Sequence, residues 1–203
     1  MKQKNYFRGY VRPISVIAIM SALSIVLMML EFSIPLVPNF LKVDVSDFPA
    51  LLTSFSISPI AGVMVCLLKN VLHLFATSTG GVGELANFLI SAALVASAGL
   101  IYCKWRTLKG ALIGSAVGAL VSALVCVPVN YFITYPFYAK TFLPMETIMQ
   151  LYKNILPSVN SLEEALLIFN APFTFAKGTL CILLTFLVYK PLSPILKGKK
   201  KNF

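Results

Sequence analysis

Acidic side chains are scarce in this chain: seven Asp and Glu stand against seventeen Lys and Arg in 203 residues, and there is one histidine. That histidine, His73, has Lys69 and Asn70 as its nearest polar neighbours, which are poor metal ligands, so no metal site is expected. The pair Asp44 and Asp47 lacks the rest of an oxygen shell for calcium. No CxxC occurs, and Cys66, Cys103, Cys126 and Cys181 all sit in apolar runs, which predicts buried free thiols and no disulfide. No GxxxxGK followed by Ser or Thr is present, which excludes ATP hydrolysis by a P-loop. Long polar stretches are missing too. The longest, residues 139 to 163, holds about 25 residues and predicts an outer loop with a short surface helix, leaving no room for a second, soluble domain.

What the chain does have is apolar length. Hydrophobic residues make up 58%, charged residues 12%, and the mean hydropathy is +0.86, which indicates an integral membrane protein. A helix needs roughly 20 residues to cross about 30 Å of hydrocarbon. The pattern predicts an all-α bundle of six transmembrane helices forming a single domain over residues 1–203, with spans at about 14–34, 48–58, 59–76, 82–103, 108–138 and 163–189. The segment 48–58, bounded by Pro49 and Pro59, is short and is expected to span only as half of a bent pair with the helix after it. The first apolar stretch follows a basic N-terminus as a signal peptide does, but no small-x-small cleavage site follows, so it is kept as a helix.

Orientation follows from the cations near span ends. Lys2, Lys4, Arg8 and Arg12, then Lys104, Arg106 and Lys109, then Lys190, Lys197, Lys199, Lys200 and Lys201 give one side twelve positive charges, while the other has Lys42, Lys140 and Lys153. Both termini are therefore expected in the cytoplasm. The net charge of +10 reads as topology and contact with anionic lipid, not as nucleic-acid binding, because the cations flank spans.

Ionisable groups inside a span are costly and point to function. In the last span Asn170, Thr174 and Lys177 follow i, i+4, i+7 spacing, and Lys177 lies about 20 Å from the cytoplasmic edge at about 1.5 Å per residue. In the fourth, Glu84, Asn87 and Ser91 share a face just after the turn-forming Gly80, Gly81 and Gly83. Lys69 and His73 in the third span, and Asn130 beyond the kink-prone Pro128 in the fifth, reach the same depth. A buried hydrogen-bond network would account for any one of them. The set, with full charges of both signs, predicts an outward-facing solute cavity in which Lys177 and Glu84 pair when it is empty. The segment 35–49, PLVPNFLKVDVSDFP, is too apolar for an idle loop and is expected to fold over that cavity as a lid; the bland reading is an interfacial connector anchored by Phe40 and Phe48. Ala18 and Ala22 in the first span, and Gly110, Gly114, Gly118 and Ser122 in the fifth, form small-residue stripes that suit close helix packing within the chain or against a partner.

Five stretches, FLKVDVSDFPALL (40–52), SPIAGVMVCLLKNVLH (58–73), GVGELANFL (81–89), NYFITYPFY (130–138) and NAPFTFAKG (170–178), resemble the riboflavin-specific, RibU-type substrate-binding components of energy-coupling-factor (ECF) vitamin transporters, in the family's order over nearly the whole chain. The resemblance implies a riboflavin-binding subunit in the cell membrane, driven by a separate module of a transmembrane scaffold protein and two cytoplasmic ATPases. It further implies ligand contacts at Leu41, Asp44, Glu84, Asn87, Asn130 and Lys177, and a scaffold-docking AxxxA at Ala18 and Ala22. Thr174 departs from the longer polar residue, such as Asn, expected there, and Asn170 is placed to compensate. No cofactor is implied, since riboflavin is cargo, and no catalytic residue is assigned. Two other readings are a binding component for thiamine or biotin, and a small membrane enzyme using Glu84 and His73 as acid and base. The second lacks a nucleophile or second acid at that depth.

Overall fold

The computed structural model describes residues 2–35, 37–38 and 40–197; for residues 2–10 and 190–197 it describes the backbone only. The Lys-rich tail and two residues of the lid segment thus lie outside the described residues, and so do the side chains of Lys2, Lys4, Arg8, Lys190 and Lys197.

The element order is α1 (Lys2–Met29), β1 (Phe32–Ser33), β2 (Lys42–Val43), α2 (Phe48–Ser56), α3 (Pro59–His73), α4 (Val82–Lys104), α5 (Leu108–Val129), α6 (Tyr135–Thr141), α7 (Met145–Lys153), α8 (Leu162–Ala165) and α9 (Ala171–Lys197). A 3₁₀ turn, Leu74–Ala76, closes α3, and two π-helical turns, Asn130–Thr134 and Leu166–Asn170, join α5 to α6 and α8 to α9 into continuous rods. Among the described residues, five helices are long and apolar enough to cross a membrane: Val11–Met29, Pro59–Ala76, Val82–Lys104, Leu108–Thr141 and Leu162–Tyr189. The short α2 has Pro at its first turn and packs its residues from Pro49 to Phe55 inside the bundle; Ser58 then caps α3 by accepting from the Ala61 amide (3.1 Å).

The first span ends earlier than its hydropathy predicts. Helix α1 stops at Met29, and residues 30–34 leave it because Phe32 and Ser33 pair antiparallel with Val43 and Lys42, while Pro35 disfavours helix in the residue before it. Gly80 and Gly81, with φ of +62° and +86°, make the tight turn into α4 that only glycine adopts without strain.

One core cluster runs through the middle of the bundle, with Leu51, Leu52, Val65, Cys66, Val95, Ala98 and Cys181 fully enclosed. Toward the ends of α2, α4 and α9 an aromatic layer of Phe55, Tyr102 and Tyr189 packs edge to face. The stripe Gly114 and Gly118 faces α4 inside the chain, so intrachain packing is its role. Ala18 and Ala22 point out of the bundle instead, since α1 turns Met20, Ser21, Ser24 and Met28 inward. Cys66, Cys126 and Cys181 are buried free thiols, whereas Cys103 is exposed, because the last turn of α4 leaves the packed helices. The helix predicted on the loop surface, α7, is amphipathic and packed: Ile148 and Tyr152 are buried in a second cluster with Tyr135, Val159, Ala165 and Leu166.

Candidate functional site

Between α3, α4, the α5–α6 rod, α7 and α9 lies a cavity of about 390 Å³, roofed by Glu31, Phe40, Leu41, Lys42, Asp44 and Asp47. Leu41, Asp44, Glu84, Asn87, Asn130, Asn170, Thr174 and Lys177, the eight candidates read from the sequence, all line it. Its remaining wall is largely apolar, with Phe40, Ile90, Leu94, Phe142, Leu143, Ile148 and Phe173.

The two π turns explain how distant asparagines reach one wall. A proline has no N–H and its ring crowds the carbonyl four residues before it. Pro136 and Pro172 each sit just beyond a π turn, and the residue before each bonds five back instead, Tyr135 N–H to the Asn130 carbonyl and Ala171 N–H to that of Leu166. The widened turns place Asn130 and Asn170 toward the cavity. Asn170 is fixed there: its amide donates to the Tyr135 hydroxyl (3.1 Å), its carbonyl accepts from Tyr152 (2.7 Å), and the two tyrosine hydroxyls hydrogen-bond each other. Burial first, and then the Tyr135 neighbour, raises the Tyr152 pKa well above its ordinary value, so its hydroxyl stays a neutral donor.

The charged groups pair differently from the sequence expectation. Lys177 donates to Asp44 on the lid (2.7 Å), not to Glu84. Glu84 is taken by His73 Nδ1 (2.9 Å) and by the hydroxyls of Thr77 and Thr79 (2.9 Å each). The physical reason is local: the glycine turn delivers both threonines to Glu84 at the start of α4, while the lid brings a carboxylate directly onto α9. A second pair, Lys69 with Asp47, fastens the lid to α3. Asn87 donates to Asn70 (3.1 Å), whose own amide is held by the Cys66 carbonyl (2.8 Å).

Asp44 is nearly enclosed, and burial alone would raise its pKa. The Lys177 ammonium, and then that of Lys69, outweigh burial and hold the carboxyl well below the usual carboxylate range. A carboxyl depressed in this way contributes stability that is complete above its ordinary pKa and is lost only as the pH falls through the lowered value. The lid contact therefore persists in mildly acid solution.

The chain is similar to known proteins in sequence and in fold. The family model for the substrate-specific component of ECF transporters matches residues 12–189. The chain belongs to that family. It is 32% identical to the riboflavin transporter RibU of Staphylococcus aureus over 181 residues, covering 89% of this chain and 90% of that one. It is 27% identical to the riboflavin transporter FmnP of Bacillus subtilis over 193 residues, covering 94% and 96%. A solved structure of the S component of a bacterial ECF transporter superposes with a TM-score of 0.71 at 29% identity, covering 91% of this chain and 97% of that one. As an ECF substrate-specific component, the chain is a multi-pass membrane protein with a role in transport, not in catalysis.

Sequence reasoning missed several residues of the component's cavity. Ile148 on α7 lines it, and the i, i+3, i+4, i+7 series Met145, Ile148, Met149, Tyr152 was the available signal. Thr134, within the first π turn, lines it with a buried hydroxyl that has no partner among the described residues. Asp47 lines it too, and its pairing with Lys69 was foreshadowed only by the cost of a lysine in mid-span.

Proposed function

We propose that this chain is the riboflavin-binding subunit of an ECF importer, a single membrane domain of six spans, with α2 and α3 forming the bent pair and both termini in the cytoplasm. The cavity then faces outward, and captured riboflavin is carried inward by a module of a scaffold protein and two ATPases. The observation that carries the reading is the mixed-polarity cavity beneath the lid. Its volume of about 390 Å³ lies within the roughly 300–1,000 Å³ of small-molecule pockets. Its apolar wall suits a flat ring system, and amide, ammonium and carboxylate groups at its edge suit the ring's carbonyl and imide edge and the hydroxyls of a ribityl chain.

In this reading Asn130, Asn170, Thr174 and Lys177 meet the polar edge of the ring, and Glu84 and Asn87 meet the hydroxyls. Leu41 and Asp44 cover the ligand from the lid, and the Thr134 hydroxyl finds its missing partner in the ligand. Ala18 and Ala22, exposed on α1, offer a flat strip for the scaffold protein. Riboflavin is cargo, and no cofactor is required.

The absorption spectrum of protein purified in detergent tests this directly. Flavin bands with about one equivalent released on denaturation are expected. A colourless protein that also fails to quench the fluorescence of added riboflavin would overturn the assignment and favour another vitamin, such as thiamine or biotin.

A further inference from the structure

The lid is held by two ion pairs that differ in one respect. Lys177 and Asp44 both line the cavity, so a ligand reaches them directly. In the second pair only the carboxylate partner, Asp47, reaches the cavity; Lys69 is 0% exposed and does not line it. Its ammonium meets the Ser46 hydroxyl (2.6 Å) and the carboxylate of Asp47, the residue that precedes α2. The two attachments are joined by one short link, the Ser46 N–H donating to the second carboxylate oxygen of Asp44 (2.8 Å). Beyond that link the roof has the β1–β2 pairing of Phe32 and Ser33 with Val43 and Lys42, the edge of Phe40 against Tyr135 and Tyr152, with ring centroids 6.0 and 5.9 Å apart, and the exposed pair Lys42–Glu31.

We propose that Lys69 is a positioning residue, which keeps the lid stem at Ser46 and Asp47 fixed to α3 so that ligand entry and exit move only the part of the lid before Val45. The physical ground is the inequality of the two anchors. A buried ammonium that loses its carboxylate is left uncompensated in a low-dielectric interior, so the Lys69 anchor does not open in ordinary fluctuations. The Lys177 anchor exchanges one polar partner for another when a ligand enters, and its opening is correspondingly cheaper. With its stem fixed, Asp44 returns to the same place above Lys177 after each opening. Lys69 thus controls how long a bound ligand stays without touching it.

This inference rests on the proposed riboflavin-binding reading for one of its two tests and is independent of it for the other. In ligand-free protein, hydrogen–deuterium exchange should show the amides of Ser46, Phe48 and Leu51 protected and that of Leu41 exchanging faster. Lys69→Met should remove the protection at residues 46–51. In stopped-flow fluorescence with riboflavin, the same variant should release ligand at least tenfold faster while the association rate stays within about threefold, a split that general destabilisation does not produce. Should Lys69→Met fail to fold, Asp47→Asn keeps an acceptor for Lys69 while removing the charge, and is read by the same exchange pattern. Unchanged protection at residues 46–51 in a folded variant overturns the proposal, as does an unchanged dissociation rate in a variant that binds. If the wild-type protein takes no riboflavin, the binding reading fails and the exchange pattern alone decides the role of Lys69.

Discussion

Away from the lid, α4 and α5 approach until a Cβ on Gly114 or Gly118 would lie 2.6 or 2.7 Å from the backbone carbonyls of Ala98 and Leu94. At the lid end Asn130 and Thr134 of the α5–α6 rod face a cavity that Asn170 and Lys177 also line from the last rod. Both ends are built from similar apolar helices. Glycine stripes draw backbones together at one, and proline-backed π turns push polar groups between them at the other. Rigidity and binding are thereby separated along the bundle: the packed end holds the rods in register, and the open end is free to carry charge.

That contrast is breakable from either side. The largest effect is expected from Gly118→Val, which forces the Leu94 carbonyl away and costs about 3 kcal/mol, enough to abolish monodisperse protein in detergent size-exclusion chromatography. Lys177→Met strikes the open end; it leaves Asp44 buried without its partner and should weaken riboflavin binding about 100-fold by fluorescence titration, with the fold retained. Asn87→Ala, which removes the donor to the Asn70 Oδ1, should cost about tenfold in the same titration, consistent with roughly 1 to 3 kcal/mol for a lost buried partner.

Thr134→Val sharpens the comparison further. Its hydroxyl has no partner among the described residues, so thermal stability without ligand should hold or rise slightly, while affinity falls about fivefold. A loss of stability with unchanged affinity would assign Thr134 to packing. The smallest effect on the isolated protein belongs to Ala22→Leu, on the exposed face of α1. Stability should stay within about 0.5 kcal/mol and riboflavin binding should not change, whereas uptake by cells expressing the coupling module should stop.

Much of the site was legible in the sequence because membrane burial makes polar residues informative. Asn170, Thr174 and Lys177 announce a face by their spacing alone, as do Glu84 and Asn87. Pairing was not legible. A sequence gives Lys177 four candidate carboxylates around the cavity, Glu31, Asp44, Asp47 and Glu84, and only the path of the lid decides which arrives. The π turns were hidden too, since a proline within a continuous apolar run, as at 136 and 172, does not announce whether the turn before it widens.

The sequence by itself determined that this is a polytopic helical membrane protein and which side chains are too costly to be there without a use, because hydrocarbon solvation acts on each residue independently of its neighbours. The tertiary structure decided what depends on pairs: that α1 ends at Met29 to form the hairpin, that α7 packs into the cavity wall, and that Asp44 and Asp47 divide two lysines between them. Ion pairs and hydrogen bonds fall off within a few ångströms, so their partners are fixed only once helices and lid have taken their places.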